Sequence, residues 1–167
     1  MNLIALPIQF VLLLLAQIFI FQHLGFGVFP PPHAFLAFLL FLPPFFQPWM
    51  LYLTAFLMGF LLDVSVQPWG ANAASCVALV GLRGFWIEAI RPRSDSDEQI
   101  VLAQQSARWL LLYLTPLVFV YEFIYGVLVN LAIDGKIFLS VLTGTAYTTL
   151  ICFLLAMVFF RSRRGRS

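Results

Sequence analysis

Three ionisable residues stand inside or at the edge of long apolar stretches: Asp63, Arg83 and Glu122. Placing Asp or Arg in hydrocarbon costs at least about 2.5–3.5 kcal/mol on insertion scales, so such groups turn to a protein interior and pair. Arg83 and Glu122 both fall near the middle of their apolar stretches, which makes an Arg83–Glu122 ion pair the first expectation. Such a pair either fixes helix register or forms a ligand, proton or partner site. Asp63 ends an apolar stretch, where a carboxylate can cap the next turn through backbone N–H groups or meet a partner. His23 and His33 flank one connector with no Cys, Asp or Glu near them in sequence, so no metal site is expected. The chain has no Gly-x-Ser-x-Gly elbow, phosphate loop or dinucleotide fingerprint. Neither catalysis nor a cofactor is expected.

The elements that position these residues must be membrane spans. The chain has 167 residues, 62% hydrophobic and 10% charged, against about 25% charged in a soluble domain. From Met1 to Leu62 there is no Asp, Glu, Lys or Arg. A span takes roughly 20 apolar residues at about 1.5 Å each. The expected fold is an all-α membrane bundle of about six transmembrane helices, with residues 1–160 as one domain and 161–167 as a basic tail. The spans read as Leu3 to Phe21, a short one from His33 to Leu42 extending toward Gln47, Pro48 to Leu62, Ala71 to Ile90, Trp109 to Asn130 and Ile137 to Phe160. Pro30-Pro31-Pro32 and Pro43-Pro44 bound the short span, because consecutive prolines cannot continue a helix. Pro116 predicts a kink, Asp134-Gly135 a turn, and Ser94 with Asp97 a weak capping box opening a surface helix near Ser96. No charged region precedes the first apolar run, so a cleaved signal is not expected. Cys76 and Cys152 lie in apolar segments and read as packed thiols.

Orientation follows from Lys and Arg near span ends. With alternating loops, Arg91, Arg93, Arg108, Arg161, Arg163, Arg164 and Arg166 share one side and Lys136 the other. That bias places the C-terminus, and with six spans the N-terminus, in the cytoplasm. A basic tail beside an apolar span is a topology signal and an anionic-lipid contact, not a nucleic-acid site. Ser140, Gly144, Thr148, Cys152 and Ala156 recur every fourth residue, and Ala71, Ala74, Ala78 and Gly81 form a second stripe. Small residues on one face let helices approach closely. They serve packing within the bundle or a groove for a partner's helix.

The run Gly59-Phe60-Leu61-Leu62-Asp63, then Pro68-Trp69-Gly70-Ala71-Asn72-Ala73, then Gly81-Leu82-Arg83-Gly84-Phe85 and Arg91, resembles the MreD family of small polytopic proteins of the bacterial rod-shape complex. Trp69 stands where Leu is commoner and Phe85 where Tyr is commoner, and Arg83 is less typical. The resemblance implies a non-catalytic scaffold of the bacterial inner membrane. Its implied partners are the single-span protein MreC, the filament protein MreB, and the peptidoglycan polymerase RodA with its class B penicillin-binding protein. The family positions it carries over are Gly59, Asp63, Pro68, Gly70 and Gly84. The alternative is a substrate-binding subunit like the S-components of vitamin transporters, six-span proteins of similar size. That reading would gather Gln67, Trp69, Asn72, Asn130 and Asp134 around an outer pocket.

Overall fold

A computed structural model describes residues 5–25, 30–42, 47–66, 69–90, 106–131 and 134–164. The described residues form six α-helices and one 3-10 turn, with no strand among them. The helices are α1 (Ala5–Phe19), α2 (Leu36–Phe41), α3 (Pro48–Val66), α4 (Ala71–Ala89), α5 (Ala107–Asn130) and α6 (Gly135–Arg164), and the 3-10 turn Phe21–His23 follows α1. Pro68, the segment 91–105, the capping box expected at Ser94 and Asp97, and the tail beyond Arg164 lie outside the described residues.

Local sequence sets several of the ends. Pro48 opens α3, where its missing N–H would have no helical partner. Ser106 accepts the N–H of Trp109 at the start of α5, and Asp134 Oδ1 accepts that of Ile137 at the start of α6. Asp134 thus caps α6, and Gly135, expected in a turn, is the first residue of that helix. Trp69 and Gly70 both take left-handed backbone (φ 52° and 87°), which reverses the chain between α3 and α4. Glycine adopts this without cost, whereas a bulky residue does not. α5 runs unbroken through Pro116. Proline leaves the carbonyl four residues earlier without its helical donor, and Trp86 Nε1 donates to that carbonyl, Leu112 O, at 3.2 Å.

Four helices are long and apolar enough to cross a membrane, through Leu6–His23, Pro48–Ser65, Ala107–Asn130 and Gly135–Val158. α4 equals α3 in length at 19 residues but carries Asn72, Arg83 and Glu88, which lower its apolarity. The short span differs most from expectation. Its helix, α2, has six residues and covers only about 9 Å. Consecutive helices from α3 to α6 pack as neighbours, and α2 lies among α1, α3, α4 and α6. From Pro32 to Leu40 every residue is buried. α1 lies at the periphery, where Gln17 is the buried residue of the Leu6–His23 stretch.

Side-chain contacts fix an antiparallel register. Gly59 of α3 lies against Ala73 of α4, and Tyr52 against Gly81. Between α4 and α5, Asn72 meets Tyr121, Arg83 meets Tyr113, and Ile90 meets Trp109. Glu122 of α5 meets Thr148 of α6.

Candidate functional site

The polar residues of this apolar bundle converge on the segment from Pro30 to Leu42. Its helix is too short to satisfy its own backbone, and nonhelical backbone is tolerated at membrane depth only where protein groups bind it. Four side chains from other helices do so. Gln17 Nε2 donates to Pro32 O at 3.0 Å, and its Oε1 accepts from the N–H of Phe35 at 3.4 Å. Thr148 Oγ1 accepts from the His33 N–H at 3.1 Å. At the other end, Tyr113 OH donates to Leu40 O at 2.8 Å, and the Arg83 guanidinium donates through Nη2 to Leu42 O. Arg83 Nε also donates to Tyr113 OH at 3.0 Å. A cation at a helix C-terminus is placed favourably against the exposed carbonyls.

Arg83 and Glu122 therefore do not pair. Asn72 lies opposite Tyr121, next to Glu122, so eleven residues along α4 carry Arg83 away from that level by roughly 16 Å. Each of the two buried groups has its own set of partners. Glu122 binds His33: Nδ1 and Oε1 are 2.9 Å apart, with both side chains almost fully buried. Thr148 Oγ1 donates to the same Glu122 Oε1 at 2.9 Å. Since Thr148 also accepts from the His33 backbone, the three residues close one small ring of hydrogen bonds. The His33 imidazole stands edge-on to Tyr121 and Tyr125, each with ring centres 5.0 Å away. Chemically, this arrangement can hold a proton between Nδ1 and Oε1 and leaves the second carboxylate oxygen open.

A second polar cluster closes α4. Asp63 Oδ1 accepts the Asn72 backbone N–H and Nδ2, both at 3.0 Å, and Oδ2 accepts the Ala73 N–H at 2.9 Å. Tyr121 OH donates to Asn72 Oδ1 at 2.6 Å. Gly70 precedes α4 and has no side chain to cap it. Asp63 reaches across from α3 and does so instead, which is the capping role its position allowed. Gly59, one turn earlier on α3, permits this approach: a Cβ there would lie 2.5 Å from Ala73 Cα.

The other positions singled out from sequence separate by face. Gly144, Thr148, Cys152 and Ala156 are buried along α6, with Ser140 half-buried at the end of that line. A Cβ on Gly144 would stand 3.0 Å from Glu122 Oε2, so this glycine leaves room for the carboxylate. The α4 stripe is split: Ala71 is buried, and Gly81 lies against Tyr52 of α3. Ala74 and Gly84 are exposed, and Ala78 and Gly81 are half-buried. The buried face of α4 carries Asn72, Ser75 and Arg83 beside Ala71, Ala73, Cys76, Leu79 and Val80. Nothing lies within 4 Å of a Cβ built on Gly70 or Gly84. Cys76 and Cys152 are buried free thiols.

Sequence reasoning passed over His33, Gln17, Tyr113 and Tyr121 as site residues. Two signals were present: a Gln in the middle of an apolar run and a triple proline beside a histidine both demand partners for backbone or amide groups. No protein-family profile, curated protein or solved structure matches the chain.

Proposed function

We propose that the chain is a non-catalytic scaffold of the bacterial inner membrane, similar to MreD in the rod-shape complex. In this reading it serves sidewall peptidoglycan synthesis beside MreC-like, MreB-like and RodA/penicillin-binding partners. On the same reading it crosses the membrane with its arginine-rich C-terminal segment and its N-terminus in the cytoplasm. The observation that carries the reading is the α3–α4 joint. Gly59, Asp63 and Gly70, three positions of the resemblance, act together there as one structural unit. Gly59 supplies the close approach, Asp63 the cap and Gly70 the left-handed turn. The joint holds Trp69 fully exposed at its tip, a position suited to an interfacial or partner contact. Affinity purification from native membranes in mild detergent tests this. Recovery of an MreC-like protein with elongation factors supports it, and recovery of an ATPase module without cell-wall partners overturns it.

A substrate-binding subunit similar to the S-components is the second reading, and the observation that bears on it is a cavity of about 180 Å³ between α5 and α6. Pockets for drug-sized ligands run to about 300–1,000 Å³, so this one suits something smaller than a vitamin. Of the residues that reading gathers, Asn72 is committed to Asp63 and Tyr121, Asp134 caps α6, and Asn130 lines the cavity. Gln67 lies outside the described residues. A vitamin-sized molecule retained by the pure protein would favour transport over scaffolding.

A further inference from the structure

The cavity between α5 and α6 has a chemistry that neither reading uses. Glu122 lines it, together with Tyr125, Asn130 and Ser140, and Val129 and Ile137 contribute apolar wall. The Glu122 side chain is only 3% exposed. Both of its hydrogen bonds, from Thr148 and with His33, fall on Oε1, which leaves Oε2 without a partner among the described residues. Gly144 borders that oxygen, and Pro30 is part of the same lining. Asn130 Nδ2 donates to Gly126 O at 2.8 Å, which fixes the amide and leaves its Oδ1 as an acceptor. Among the described residues the lining thus offers oxygen acceptors around one carboxylate oxygen that opens on the cavity, and it includes no Lys or Arg.

We propose that this cavity binds a primary ammonium group, whose N–H bonds go to Glu122 Oε2 and the neighbouring oxygens while its alkyl portion lies against the apolar wall. An anion would be repelled by the carboxylate. A neutral apolar molecule would leave Oε2 buried without a donor, which is costly. A cavity of about 150 Å³ accommodates benzene, so about 180 Å³ takes a small amine or the end of an aminophospholipid headgroup. This site goes beyond the scaffold reading and does not depend on it.

The test uses the full chain in phosphatidylcholine nanodiscs, whose headgroups carry no N–H, at neutral pH. The thermal unfolding midpoint is followed against n-butylamine, with 1-butanol as the uncharged control. Butylamine should raise the midpoint saturably, as a ligand of the folded state does, and butanol should not. Glu122→Gln keeps the shape and should weaken the apparent affinity at least about tenfold, the loss of one charge-assisted hydrogen bond. Ser140→Leu, which fills the cavity and leaves Glu122 in place, should abolish the rise and serves if Glu122→Gln does not fold. Nanodiscs in which phosphatidylethanolamine replaces part of the phosphatidylcholine separate the sources. A higher midpoint to which butylamine adds nothing assigns the site to a lipid headgroup, and an unchanged midpoint assigns it to a soluble amine. The proposal is overturned if neither probe stabilises the wild-type chain, if butanol matches butylamine, or if Ser140→Leu responds like wild type.

Discussion

Gly59 of α3 and Ala73 of α4 touch backbone to backbone, at a separation that leaves no room for a methyl group on Gly59. This contact sets how near Asp63 comes to the start of α4, so the two helices are spaced by a glycine and latched by a carboxylate.

Gly59→Ala should therefore loosen the latch. The clash is with backbone rather than with a flexible side chain, so α3 and α4 must separate. Overpacking of this kind costs typically about 1–3 kcal/mol. Thermal unfolding in detergent should show a lower midpoint, and an unchanged midpoint would mean that the helices are not this close.

Asp63→Ala leaves the N–H groups of Asn72 and Ala73 and the Asn72 amide without their acceptor. Loss of a cap costs roughly 0.5–2 kcal/mol. Asp63→Asn keeps one acceptor oxygen and should retain part of the stability. The ordering wild type, then Asn, then Ala in unfolding midpoint checks the capping role; equal midpoints for all three would contradict it.

Arg83 and Tyr113 should be energetically coupled, and Arg83 and Glu122 should not. Each single change, Arg83→Leu or Tyr113→Phe, disturbs the same group of bonds around Leu40 and Leu42. Residues in one hydrogen-bond network show interaction energies of about 0.5–3 kcal/mol, while distant sites add within about 0.5 kcal/mol. A double-mutant cycle with Tyr113→Phe should be non-additive, and one with Glu122→Leu should be additive. The reverse pattern would restore the ion pair expected from sequence.

Trp86 should matter because of Pro116. Trp86→Phe removes the donor to Leu112 O and should destabilise by about 0.5–1.5 kcal/mol, the net value of a typical hydrogen bond. In a Pro116→Ala background residue 116 regains its own N–H, and the same Trp86→Phe change should cost less. Equal losses in both backgrounds would separate the indole from the proline.

The helices that bury one face or run long between polar ends were legible in the sequence. Pro48, the turn at Trp69–Gly70 and Asp134 mark ends by local chemistry, and the α6 line from Gly144 to Ala156 lies on a buried face. The centre was not legible in the same way. His33 and Glu122 are separated by 89 residues, and His33 and Thr148 by 115. Local spacing contains nothing about such contacts. α4 was legible only in part for a related reason: its buried face mixes small residues such as Ala71 with Asn72 and Arg83, whose partners on α3, on α5 and at the end of α2 are distant in sequence. Arg83 and Glu122 looked like partners because opposite charges in hydrocarbon need compensation, and each finds it instead in neutral dipoles and a histidine.

The broken segment also has a consequence for biogenesis. Residues 32–42 leave the ribosome before Arg83, Tyr113 and Thr148, which complete their backbone, and Thr148 belongs to α6. The segment cannot finish its hydrogen bonding until α6 has been made. Until then its open carbonyls and N–H groups need water or another protein beside them. The innermost part of this bundle is thus made well before the residues that seal it.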